Sequence, residues 1–187
     1  MGLARAASVR NALASLAVLA VVGLIAFGLP FINRRLPSDR PVAGDRPFDV
    51  GGGVSVVPPA GATVDVTGTR PAADRGTALF LVGGVRLVVV VTPYLGTLDA
   101  ARGRLSGKIT KSTGGQVAVT DAAVRTAQGV TGRGGGYTSP GRLGAYAVFV
   151  AREVSVEVTA SGPDSALLAQ SAAVQASVRS VTFGGRS

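Results

Sequence analysis

The sequence predicts an α+β protein: a single N-terminal transmembrane helix followed by one α/β sandwich domain with a mainly antiparallel sheet and two helices. Three observations carry this. Asn11 to Asn33 runs for 23 residues without a charge. Beyond it, short β-rich runs meet across tight turns, and only two later stretches carry the apolar spacing of a helix.

A helix rises about 1.5 Å per residue, so a run of this length crosses a hydrocarbon core of about 30 Å. Pro30 falls near its end, where a kink costs little, and membrane helices tolerate Gly23 and Gly28. Arg5 and Arg10 ahead of the run also fit a cleaved signal, but Leu29-Pro-Phe-Ile-Asn-Arg-Arg35 lacks a small-x-small cleavage site. The expectation is an uncleaved signal anchor. Residues 1–10 form a cytoplasmic tail, 11–33 the transmembrane helix, 34–53 a linker, 54–183 an extracytoplasmic domain and 184–187 a tail. Cations flank both ends of the helix, so the positive-inside rule does not decide the orientation, and the short tail before a long domain favours this one. Arg10, Arg34 and Arg35 are placed at the membrane interface.

The segment 34–53, rich in Arg, Asp, Pro and Gly, reads as an extended linker. Val54–Val57 and Thr63–Thr69 read as two short strands separated by Pro58-Pro-Ala-Gly61. Ala78–Val82 and Val85–Thr92, joined by Gly83-Gly84, form a hairpin. Leu87–Val91 is apolar without alternation, as in a central strand covered on both faces. Thr97 caps a helix with Asp99 in its first turn and Leu98, Ala101, Leu105 and Ile109 on one stripe. Gln116–Thr120 and Val124–Gln128 suggest strands around a turn at Asp121. Gly129–Gly141, GVTGRGGGYTSPG, reads as a mobile loop that matches neither phosphate-binding glycine motif. Arg142–Ala151 and Glu153–Ala160 form a second hairpin with Glu153, Ser155 and Glu157 on a solvated face. Gly162-Pro-Asp164 opens a last helix marked by Leu167, Gln170, Val174 and Val178, and Ser180–Phe183 closes the domain as a strand.

An offset of 69 residues brings Phe80 onto Phe149, Val85 onto Val154, Leu87 onto Val156 and Val89 onto Val158, and lays Leu98, Leu105 and Ile109 on Leu167, Val174 and Val178. Two units of equivalent architecture sharing one core are expected. The opening SVVPPAG at Ser55–Gly61, the two hairpins, and the final helix running into Val178-Arg-Ser-Val181 resemble the PsbP-like fold of actinobacterial cell-envelope proteins of the LpqN type. The family often has Trp after its Pro-x-Gly opening, where this chain has Ala62, and a lipidated Cys, which this chain lacks. The anchor helix would replace that lipid. The resemblance implies a non-enzymatic accessory or binding domain and carries over no catalytic residue.

There is no His and no Cys in the chain, which excludes the common catalytic triads, thiol chemistry, disulfides and the usual zinc sites. No catalytic residue, cofactor or metal ligand is therefore assigned, and the chain is read as not an enzyme. Seventeen Arg against two Lys gives a net charge of +9 and matches the coding bias of a high-GC actinobacterium. Arg104, Lys108 and Lys111 on the first helix, with Arg133 and Tyr137 in the glycine loop, form the candidate contact surface. The function expected is a membrane-anchored accessory protein that docks on a partner membrane or secretion complex of the cell envelope. The alternative is a binder of lipid or anionic wall polymer through the basic helix face and glycine loop. Nucleic acid is disfavoured, because no motif and few stacking aromatics are present.

Overall fold

A computed structural model of the chain describes residues 39–184 other than Ala43 and Val119. The segments 1–10 and 11–33, with Arg10, Arg34 and Arg35, lie outside the described residues. Among the described residues no helix is long and apolar enough to cross a membrane.

The described residues form one antiparallel α+β domain. Its large sheet runs in the order β1 (Asp39–Pro41), β4 (Thr63–Asp65), β6 (Gly76–Val82), β7 (Val85–Pro93), β12 (Val154–Gly162), β11 (Arg142–Ala151), β10 (Thr131–Ser139) and β8 (Gln116–Val117). Off this path, β5 (Arg70–Pro71) pairs with β6 and β9 (Ala122–Arg125) with β10. A small sheet of β2 (Phe48–Gly51), β3 (Val54–Val56) and β13 (Thr182–Phe183) packs against one face. Helices α2 (Asp164–Ala169) and α3 (Ser171–Arg179) share that face through Leu167 and Val174, and α1 (Leu98–Thr113) covers the other.

The two hairpins are as the sequence predicts. Gly83 (φ 52°) and Gly84 (φ 82°) supply the left-handed pair that a two-residue turn requires. The second turn places Arg152 (φ 48°) and Glu153 (φ 62°) in the same region, where a side chain costs about 1 kcal/mol or more per residue. Glu153 therefore belongs to the turn and not to the strand. The central strand β7 pairs with β6 and β12, burying Leu87, Val89 and Val91 on one face and half-burying Val88 and Val90 on the other. Val89 lies directly opposite Val158, Leu87 opposite Ala160 and Val91 opposite Val156. A local two-fold axis through the Val89–Val158 pair thus relates the hairpins at the offset seen in the sequence. The helices do not obey it. Rotation normal to a sheet keeps both helices on one face, whereas α1 and α2–α3 lie on opposite faces, so the equivalence stops at the strands.

Three further expectations change. The stretch 34–53 is not all linker: β1 pairs with β4, β2 pairs with β3, and Val50 is completely buried. Phe48 stands edge-on to Phe80 with ring centroids 5.2 Å apart. Gly76 makes this possible, since a side chain there would strike the Val50 carbonyl. The final helix is two, broken at Gln170 (φ −95°, ψ 2°), whose amide group packs against Gly83 of the hairpin turn.

The third change is the glycine-rich stretch, which is the nine-residue strand β10. Its glycines are covered from the neighbouring strand. Tyr146 lies over its cross-strand partner Gly135, and Tyr137 over Gly144, so each ring fills the space that the opposite residue leaves. The backbone amides of β10 are spent on β8, β9 and β11 and form no anion cradle.

Candidate functional site

Helix α1 begins as expected, with the Thr97 hydroxyl accepting the Ala100 amide at 3.2 Å and Asp99 in the first turn. Ala101, Leu105 and Ile109 are buried against Tyr137, Tyr146 and Val148 of the sheet. Arg104, Lys108 and Lys111 project from the outer side of this stripe and are exposed. They do not act as a free cationic row. Lys108 Nζ donates to both carboxylate oxygens of Glu157 at 2.7 and 2.9 Å, and Arg104 Nη2 stands 3.9 Å from the same carboxylate. The Arg104 guanidinium lies 4.3 Å from the centre of the Tyr94 ring.

Glu157 departs from its expected setting. Alternation along β12 places Ser155 and Glu157 on a solvated face, yet Ser155 is fully buried and Glu157 is 4% exposed, because α1 covers that face. A carboxylate there requires a counter-charge, and Lys108 reaches it across the rim of the helix.

The two candidates from the glycine stretch part company. Arg133 is exposed and approaches Asp99 of α1 at 3.8 Å. Tyr137 is buried, with its hydroxyl donating to the Ala160 carbonyl at 3.4 Å, and so belongs to the core of the α1 face and not to a contact surface. Burial pushes its phenol above the usual tyrosine range, against the opposing pull of a hydrogen bond with Ser161 and the charge of Arg142. Asp121, expected at a turn, pairs with Arg102 at 3.0 Å. Among the described residues no cluster of three or more acids forms a metal site.

On the opposite face a cleft of about 360 Å³ opens between α3 and strands β9–β12. Arg125 and Arg179 line it, although they are far apart in sequence. Tertiary hydrogen bonds join the segments that carry them: the Ala127 amide donates to the Arg179 carbonyl at 2.8 Å, and the Phe183 amide to Gln128 Oε1 at 2.8 Å, while the strand register turns the Arg125 side chain to the α1 face with Arg133. No local pattern in the sequence marks this junction. The segments that carry the family resemblance meet one another, because Val57 receives Ser177 Oγ on its carbonyl at 2.7 Å and donates its amide to Ser180 Oγ at 2.8 Å.

Strand order, antiparallel register and helices on both faces define a sheet-centred α+β sandwich. Comparison with solved structures sharpens this to the PsbP-like fold. The chain is similar to cyanobacterial PsbP (CyanoP) from Synechocystis sp. PCC 6803, a solution structure, with a TM-score of 0.51 and 15% identity over 79% of this chain and 94% of that one. No protein-family model matches the sequence, and no curated protein matches it.

Proposed function

We propose that this chain is a non-enzymatic accessory protein of the actinobacterial cell envelope, held at the cell membrane by Asn11–Asn33, with its folded domain outside the cytoplasm and docked on a partner membrane or secretion complex. The observation that carries the reading is the PsbP-like fold, whose match takes in 79% of this chain and 94% of the PsbP chain it resembles. Two features support it. The buried carboxylate, Glu157, is paired and is not poised for acid–base work. Leu95 in the β7–α1 turn and Leu168 on α2 are 86% and 67% exposed, offering apolar anchors of the kind a protein partner covers. The alternative through the basic helix face has less support, because Lys108 is committed to Glu157, Tyr137 is buried and 129–141 is mostly strand.

The test is a mild-detergent pull-down of the full-length protein at low and high salt, repeated with 11–33 exchanged for an unrelated anchor. Retention of the same partner at high salt and after the exchange, with loss on Leu95→Asp or Leu168→Asp, supports domain docking. A specific partner lost at high salt moves the reading to anionic lipid or polymer. Protease protection that places the domain in the cytoplasm overturns both.

A further inference from the structure

We propose that the trough between α1 and the first hairpin is the docking site for an amphipathic helix of the partner protein, one whose apolar stripe is flanked by carboxylates. The inference rests on the docking reading above and adds the surface and the partner's chemistry. Helix α1 covers only part of its sheet face. It packs on Tyr137 of β10 and on Tyr146 and Val148 of β11, and its rim reaches β12 through Lys108 and Glu157. Beyond that rim Val88 and Val90 on β7, with Thr77 and Leu81 on β6, are half-buried. The other face of the same strands is closed, with Phe80, Leu87 and Val89 fully buried. The groove beside α1 measures about 330 Å³ and is lined by Val88, Val90, Leu105 and Ile109 among others. On its far side residues 65–69 close over Leu79: Gly68 lies against the Leu79 side chain, and Thr69 Oγ1 accepts the Leu79 amide at 3.0 Å.

The width of the vacancy is that of a helix. Neighbouring strands lie about 4.8 Å apart, so β7, two strands beyond β11, is about 10 Å from the line of α1, the spacing at which helices pack side by side. A flat bilayer would rest on α1 and leave Val88 and Val90 untouched. The rim sets the charge of the occupant. Arg104 and Lys108 face the trough, since both approach Glu157 and Arg104 also stacks on Tyr94 just past β7, and Lys111 follows them one turn on. Asp99 and Arg102 take the other side of the helix, toward Arg133 and Asp121. Lys108 is matched by Glu157, but Lys111 and Arg86, which borders the groove on β7, are exposed and form no ion pair among the described residues. Asp65 on the far side is held by the Thr67 hydroxyl and the Thr67 and Gly68 amides, and Arg86 acts on it through charge alone. An apolar floor with surplus positive charge at its rim matches a Leu stripe flanked by Glu or Asp. The floor supplies adhesion that salt does not screen, and the rim selects the sign. A second copy of α1 would bring the same cations against this rim and is disfavoured. The exposed Leu95 lies in the turn joining β7 to α1, at one mouth of the trough.

The chain has no cysteine, so Thr77→Cys supplies a single thiol on the trough floor for an environment-sensitive dye. The test titrates this full chain, held in phosphatidylcholine nanodiscs, with a synthetic helix of about 18 residues that carries Leu at i, i+3, i+4 and i+7 between rows of Glu. The same peptide with Lys in place of Glu, and phosphatidylglycerol vesicles, are the comparisons. The expected result is a saturable blue shift with the Glu peptide and binding at least about tenfold weaker with the Lys peptide. Arg86→Glu with Lys111→Glu, both at exposed positions, is expected to reverse that preference. Equal binding of the two peptides, a shift with vesicles as large as with the Glu peptide, or an unchanged preference in the charge-reversed variant would each overturn the proposal. The pull-down separates it from the docking reading. A partner retained at wild-type level by the charge-reversed variant overturns the trough and leaves docking in place. No partner for the wild-type chain overturns docking, and with it the assignment of this trough to a partner helix.

Discussion

Lys108→Ala leaves Glu157 buried with its principal counter-charge gone, and the size of the loss decides whether Lys108 is internal architecture or a free surface cation. Removing one partner of a buried ion pair costs about 3–5 kcal/mol. The Glu157 side chain is 4% exposed but that of Lys108 is 55% exposed, so water reaches one side of the pair and the lower figure is discounted to about 2 kcal/mol. For a domain of this size that lowers the melting temperature by about 4–8 °C. Arg104, whose guanidinium is 3.9 Å away, is the nearest substitute, so adding Arg104→Ala brings the cost toward the undiscounted range. Glu157→Val removes the buried charge and leaves a β-branched residue beside Val88 and Val90. It is expected to fall within about 1 kcal/mol of wild type, and Lys108→Ala in that background to cost little more. Circular-dichroism melts of the four proteins close a double-mutant cycle with a coupling of about 1.5–2 kcal/mol. A loss below about 0.5 kcal/mol for Lys108→Ala, the scale of an exposed pair, would refute the reasoning. So would a Glu157→Val variant as unstable as Lys108→Ala.

In the second hairpin turn, Arg152→Asn places a residue tolerant of the left-handed region at φ 48° and is expected to raise stability by about 0.5 kcal/mol, read as a melting shift of about 1–2 °C. Gly144→Ala drives a methyl group into the Tyr137 ring and is expected to cost about 2 kcal/mol or more in urea unfolding, with the m-value unchanged. The Tyr137 phenol is raised by burial, so the fold holds its proton more tightly than the unfolded chain does; the stability it contributes is full below about pH 10 and is lost as pH rises through the folded value. Alkaline melts of Tyr137→Phe are expected to lack that component of the decline.

The strands and helix that announce themselves are those whose stabilising contacts are local. Gly83-Gly84 between β-rich runs specifies a turn, and Thr97 with Asp99 specifies a helix start, before any tertiary contact exists. Strand β10 is different, since a run with four glycines has no intrinsic preference for a sheet. Its support is the Tyr146 ring over Gly135, supplied from another strand. Glu157 misleads for a related reason: alternation reports that the two faces of β12 differ, not that a helix covers the polar one. The fragment 48–51 is too short for a period to show, and it is fixed by Phe80 and by the close approach that Gly76 permits. Arg104, Lys108 and Lys111 are legible as neighbours on a helix, but their partners are not. The junction of the segment after β9 with the end of α3 is not legible either, because it rests on hydrogen bonds between residues far apart in sequence.

The two-fold relation centred on Val89 and Val158 makes β7 almost its own complement. A second β7 laid antiparallel about Val89 would set Leu87 against Val91, much as β12 sets Val156 against Val91 and Ala160 against Leu87. Two chains in which the first hairpin has formed and the second has not therefore have a wrong partner within reach, one that satisfies the same backbone groups and much of the same apolar surface. Correct assembly is a race between β12 of the same molecule and β7 of another. Only the first has the advantage of connection through the chain, so refolding yield is expected to fall with protein concentration. Val89→Lys, which places a like charge against its own copy, is expected to flatten that fall while lowering the stability of the monomer, and an unchanged concentration dependence would show that the symmetric strand is not the point of misassembly.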